Sequence, residues 1–161
     1  MRGARAVKTA AGIILAIAMT LSLSASAQTA KAGSERDRLI GAWHLIRIES
    51  PRPNGQPLTG TQPEGMLIYT RDGHMSVQLM YPGAQHDLNN EYVHNGYEAS
   101  FGTYDIDEAT HTLTHHVRGA NTGDRLVGKD LPRIYEFTKD GHLVIRSARS
   151  DEHWSVEWEH Y

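Results

Sequence analysis

From residue 39 to the C-terminus, apolar residues recur at every second position in short runs that end at glycine, proline, asparagine or aspartate. Met75, Val77 and Leu79 alternate with Ser76 and Gln78. Leu143 and Ile145 alternate with His142 and Arg146, and Trp154, Val156 and Trp158 with Ser155, Glu157 and Glu159. A period of two belongs to a strand that turns one face to a core and the other to polar surroundings. The alternation slips at Met80 and Val144, and the run around Ile46 and Ile48 is apolar on both faces.

These runs predict eight strands, at residues 42–48, 66–70, 74–80, 100–106, 112–117, 134–138, 143–147 and 154–158. Arg71-Asp72-Gly73 and Lys139-Asp140-Gly141 each stand between two runs, and Asp-Gly in that position predicts a hairpin. Residues 107–111 join a further pair. Pro51, Pro53 and Asn54-Gly55 close the first strand. One segment breaks the rhythm. Asp87 as a cap, Leu88 and Tyr92 as apolar positions and Gly96 as a stop predict a short helix over residues 87–96. Many short strands with one helix indicate an all-β antiparallel barrel or sandwich. The gaps are too short for the crossover helices of a parallel sheet.

The first 27 residues follow another pattern. Arg2, Arg5 and Lys8 precede an apolar stretch over residues 10–23, and Ala25-Ser26-Ala27 supplies a small-x-small cleavage site. This is the layout of a secretory signal peptide. The apolar stretch, roughly 14 residues, is short of the ~20 that a spanning helix needs. Residues 28–37 are small and polar and read as a tether, leaving residues 38–161 as one domain. The expected destination is the periplasm or the extracellular space, with no stable membrane anchor after cleavage.

Charge and composition narrow the picture once the leader is set aside. The 161-residue chain has a formal charge of −3, with 16 basic and 19 acidic residues. Without the leader, 13 basic residues face 19 acidic ones, a formal charge of −6 over 134 residues. That balance argues against a nucleic-acid partner. The absence of cysteine excludes disulfides, thiolate metal sites and thiol nucleophiles, so packing alone must hold an exported fold.

The residues also form an ordered series. Gly41-Ala42-Trp43-His44-Leu45 is followed by Pro63-Glu64-Gly65-Met66-Leu67-Ile68-Tyr69-Thr70 and Asp72-Gly73-His74-Met75-Ser76-Val77. Phe101-Gly102-Thr103-Tyr104, Thr114-His115-His116-Val117 and Glu157-Trp158-Glu159 complete it. The series resembles the bacterial and fungal lipocalin-like domain family over residues 39–158, nearly all of the chain beyond the leader. The resemblance implies an antiparallel lipocalin-like β-barrel of about eight strands with one short helix, enclosing a cavity for a hydrophobic or aromatic ligand. Trp43 stands at the position of the opening tryptophan that closes such barrels. The chain departs from the family at its end, where Trp158-Glu159-His160 replaces Trp-x-Arg. A late cation that would pack on Trp43 is thereby exchanged for a histidine.

Ten histidines invite a metal site. His111, His115 and His116 would share a face on a helix, but residues 110–117 are threonine-rich and read as strand. On a strand His111 and His115 stand about 13 Å apart and His116 faces the other way. Such a site would need ligands from other strands, such as His74 or His142, and no metal or cofactor is expected. His115 shares parity with Leu113 and Val117, on the inward face. It reads either as a group that orients a ligand or transfers a proton, or as a core histidine satisfied by a carbonyl or tyrosine hydroxyl. Tyr69, Tyr104 and Tyr135, on separate strands, could present hydroxyls to a ligand or simply pack. Trp154 joins them as a candidate contact, although Trp154 and Trp158 on one face also suit a core. Arg133 and Glu136 flank Tyr135, and Glu136 reads as solvated.

The sequence holds no G-x-S-x-G, phosphate loop, G-x-G-x-x-G or H-E-x-x-H motif, and no catalytic residues are assigned. The leading expectation is therefore an exported carrier or sensor of a small hydrophobic or aromatic molecule. The alternative is an isomerase or cyclase with one acid–base residue, for which His115 or Tyr104 are the candidates. A barrel filled by its own side chains and used only as a surface stays open.

Overall fold

The computed structural model describes residues 33–49, 62–83 and 90–161. A helix, α1 (Glu35–Leu39), precedes eight strands: β1 (Gly41–Glu49), β2 (Glu64–Tyr69), β3 (His74–Met80), β4 (Tyr97–Asp107), β5 (Thr112–Ala120), β6 (Asp130–Phe137), β7 (Leu143–Ser147) and β8 (Ser155–His160). Each strand pairs antiparallel with the next, and β8 returns to β1, closing the barrel. All eight expected strands are present. Closure leaves no unpaired sheet edge, which suits an all-β chain without cysteine.

Both Asp-Gly hairpins form, and they are built alike. In Thr70-Arg71-Asp72-Gly73-His74, the Thr70 N–H donates to the His74 carbonyl and the Gly73 N–H to the Thr70 carbonyl, at 2.9 and 3.1 Å. Thr138-Lys139-Asp140-Gly141-His142 repeats both bonds at the same lengths. Gly73 and Gly141 adopt φ of 88° and 90°, a region that favours glycine.

The two-sided pattern around Ile46 has a structural cause. Leu45 opposes Trp158 and Arg47 opposes Glu157, so Ile46 is an extra residue in a β-bulge. The bulge flips parity, which lets Trp43 and Ile48 both be buried while Ile46 is exposed. A second bulge lies on β5, where Arg118 is the extra residue between Gly119, opposite Phe101, and Val117, opposite Gly102. A Cβ on Gly102 would meet the His116 carbonyl oxygen at 2.0 Å, so close passage of β5 requires glycine there.

The expected helix at residues 87–96 is corrected by the structure. Residues 87–89 lie outside the described residues, and residues 90–96 form bends, a bridge and a turn. The Asn90 side chain accepts from the backbone N–H groups of Tyr92 and Val93, both at 2.8 Å, diverting donors that a helix would use. Asn95 and Gly96 then take positive φ, 49° and 69°. Among the described residues the α-helix is α1, capped by the Ser34 hydroxyl at the Asp37 N–H. It begins at Glu35, within the segment read as a tether. The leader and residues 28–32 lie outside the described residues, as do Pro51, Pro53 and Asn54-Gly55.

Helix α1 covers one end of the barrel. Leu39 is fully buried, and its carbonyl accepts from the Trp43 indole N–H at 2.9 Å. The Arg38 guanidinium lies 3.8 Å from the Phe137 ring and that of Arg36 5.4 Å from Tyr104. The Tyr135 hydroxyl donates to Glu35, and the Arg36 N–H to Glu108 at 3.0 Å. His160, the register partner of Trp43 across the β1–β8 seam, packs on its indole with centroids 3.7 Å apart. His160 thus packs on Trp43, where the resemblance implies a late cation.

Candidate functional site

Away from α1, the barrel interior holds a cavity of about 120 Å³. An apolar cavity of ~150 Å³ suffices for benzene, so this space suits a group about one ring in size. Its apolar wall comes from inward positions of several strands, including Leu67, Val77, Ile145 and Val156. Asn90, Tyr92 and Val93 bring in the segment before β4, and Leu126 the 3₁₀ turn at Gly123–Arg125.

Polar groups converge on this wall. Glu98 and Ser100 arrive from β4, His115 from β5 and Arg133 from β6. Strand alternation places each of them inward, since Leu131, Arg133 and Tyr135 are buried while Pro132 and Ile134 face out. His115 is 8% exposed, and its Nε2 shares a hydrogen bond with the Tyr69 hydroxyl at 2.6 Å. Burial, the Arg133 charge and the neighbouring His116 hold the His115 imidazole neutral, with its pKa lowered to about 3. Burial also raises the Tyr69 phenol well above its ordinary value. Glu98 is pushed up to about 7 by burial, against the opposing pull of Arg133.

Arg133 is 5% exposed. Its guanidinium lies 4.9 Å from the Trp154 ring and 5.3 Å from Tyr92. These cation–π contacts orient the charge without neutralising it. Its Nη1 donates to the Pro132 carbonyl at 3.3 Å, and among the described residues no carboxylate oxygen lies within 4 Å.

The residues singled out from sequence fall into two groups. His115 and Trp154 line the cavity, and Tyr69 is tied to it through His115. Tyr104 and Tyr135 lie at the covered end: the Tyr104 hydroxyl donates to the Thr70 carbonyl at 3.0 Å, and that of Tyr135 to Glu35. Trp43 is at the same end, 1% exposed. The histidine cluster is dispersed, with His111 beside Glu35, His115 inside, and His116 outside between Asp105 and Asp130 at 3.0 and 2.6 Å.

Glu98 and Arg133 were not anticipated. Glu98 has the parity of Tyr104, but the expected strand began at Ser100, three residues after β4 starts. Arg133 has the parity of Tyr135, but the expected strand began at residue 134, four residues after β6 starts. Pro132 lies within the strand, facing outward opposite Thr114.

A family model for a lipocalin-like domain matches residues 40–159. Among solved structures, a crystal structure of an Asn-to-Ala variant of the fluorescent protein UnaG is similar. The TM-score is 0.40 and the identity 14%, covering 78% of this chain and 97% of that one. No curated protein sequence matches.

Proposed function

The chain belongs to the lipocalin-like domain family, and we propose that it is an exported protein that binds a small hydrophobic or aromatic molecule inside its barrel, as a carrier or sensor. The observation that carries this reading is the cavity itself: an apolar wall with a few converging polar groups, the usual make-up of a small-molecule site. The leader pattern at residues 1–27 supports export, and the mature chain then begins at Gln28. The working site comprises His115, Trp154 and, through His115, Tyr69.

One observation favours a second reading, an isomerase or cyclase acting on a bound hydrophobic substrate. Glu98 lines the cavity with its carboxyl held near neutrality, where a single group serves as both proton donor and acceptor. His115, neutral across the physiological range, is the weaker base, and Tyr104 lies at the covered end.

Native mass spectrometry of protein isolated from its own host tests both readings. A chain starting at Gln28 with a small noncovalent adduct is the expected result. Release of that compound unchanged after incubation supports the carrier, and conversion to an isomer supports the enzyme. A chain retaining residues 1–27 would overturn export. No adduct, together with no uptake of ring-sized hydrophobic compounds, would overturn the binding role.

A further inference from the structure

We propose that the cavity is selective for an anionic ligand, an aromatic or similarly compact molecule bearing a carboxylate, whose charge is received by Arg133. This inference rests on the reading of the cavity as a ligand site and adds the chemical class of the ligand.

Burying an arginine costs several kcal/mol unless a counter-charge and hydrogen-bond acceptors accompany it. Arg133 offers five N–H donors, and the acceptors beside it among the described residues, the adjacent Pro132 carbonyl and the Tyr92 hydroxyl, are both uncharged. Its nearest rings, Tyr92 and Trp154, lie beside the guanidinium and both donate to the Glu152 carboxylate, which forms its ion pair with Arg149. Glu98 shares the cavity without forming an ion pair with it. Burial favours the protonated carboxyl of Glu98, which leaves the positive charge of Arg133 uncompensated in that state.

A second donor is also unused. Trp158 lines the same cavity at 2% exposure, and its indole N–H is buried without an acceptor among the described residues. His115 is neutral, and so adds no competing positive charge. The interior thus presents one fixed cation and an orphan N–H donor against an apolar wall. The missing partners are acceptors and one negative charge, which a carboxylate on a ring-sized body supplies together. A neutral ligand of the same shape fills the apolar wall and leaves the arginine charge unpaired.

Benzoate and benzamide separate these cases, because they share size and planarity and differ in charge. Their affinities for the mature chain are to be measured by NMR titration at neutral pH, with wild type and the variants Arg133→Met and Arg133→Lys. The expected result is at least tenfold tighter binding of benzoate by wild type. The benzoate-to-benzamide ratio falls to about one in Arg133→Met and is intermediate in Arg133→Lys. Equal binding of the two compounds by wild type would overturn the charge preference while leaving the cavity a ligand site. Binding of neither would overturn the ligand-site reading and this inference with it. A ratio that persists in Arg133→Met would remove Arg133 from the role. The wild-type comparison requires no variant, so a folding defect in Arg133→Met leaves it decisive.

Discussion

The imidazole of His160 covers the indole of Trp43 at 3.7 Å between centroids, directly across the seam where β8 closes on β1. Its Nε2 donates to the Arg38 carbonyl at 3.4 Å, linking the C-terminal strand to α1. The contact also explains Gly41, whose φ is 143° and whose hypothetical Cβ would stand 2.3 Å from His160 Cε1. The glycine and the tryptophan of the G-x-W motif are thus both shaped by the same ring.

His160→Ala is expected to cost roughly 1–2 kcal/mol by uncovering Trp43. Gly41→Ala should cost roughly 2 kcal/mol or more, from backbone strain and the clash together. In a double-mutant cycle followed by urea unfolding, the Gly41→Ala penalty should shrink in the His160→Ala background, because the clash is gone and the backbone strain remains. Simple additivity would count against this account of the seam.

Adjacent histidines on β5 should titrate on opposite sides of the ordinary imidazole value. The His116 ring N–H groups donate to the carboxylates of Asp130 and Asp105, Asp130 having the larger effect, which raises its pKa. His115, buried beside Arg133, is lowered to about 3. Histidine ring signals followed by NMR should therefore show His116 titrating above pH 6.5 and His115 unchanged from about pH 5 to 9. For His116 the folded value exceeds the unfolded one, so its stabilisation is complete below 6.5 and is lost as pH rises through the folded value. For His115 the order is reversed. The unfolded chain takes up a proton below 6.5 that the barrel refuses, so stability falls as pH drops from 6.5 towards 3. Titration of His115 near 6.5 would contradict its placement.

Glu98 has the opposite linkage. Its carboxyl ionises near 4.5 in the unfolded chain and at about 7 in the barrel. Between those values the unfolded state releases a proton that the folded state keeps, so the contribution of Glu98 to stability declines as pH rises from 4.5 to 7 and is level above, opposite in sign to that of His115. Glu98→Gln removes that decline. The variant should exceed wild type by roughly 1–3 kcal/mol at pH 8, with the gap closing towards pH 4.5. Denaturant melts at several pH values measure it, and a gap that does not vary with pH would show that Glu98 ionises freely in the fold.

Tyr69→Phe should destabilise the barrel by roughly 1–3 kcal/mol, since it strips the buried His115 Nε2 of its hydrogen-bond partner. His115→Leu strips the buried Tyr69 hydroxyl of the same bond, so a comparable loss of stability is expected alongside weaker ligand uptake. Calorimetric melting and a benzoate titration on the same samples separate the two effects. Unchanged benzoate affinity in His115→Leu would take His115 out of the site.

By itself the sequence determined the strands, both Asp-Gly hairpins and the inward face of β5, because a period of two and a tight turn are local properties of consecutive residues. It also gave His115 the inward parity of Leu113 and Val117. Only the tertiary structure decided which end of the barrel α1 covers, and so which tyrosines lie beneath it and which residues line open space. Ile46 is the clearest case: a bulge is defined by the partner strand, and without Trp158 and Glu157 opposite, the parity of β1 cannot be read. Arg133 and Glu98 show the same limit. Their inward parity was present in the chain, but strand pairing extends β6 through Pro132 and starts β4 at Tyr97, and only that pairing brings both side chains to one cavity.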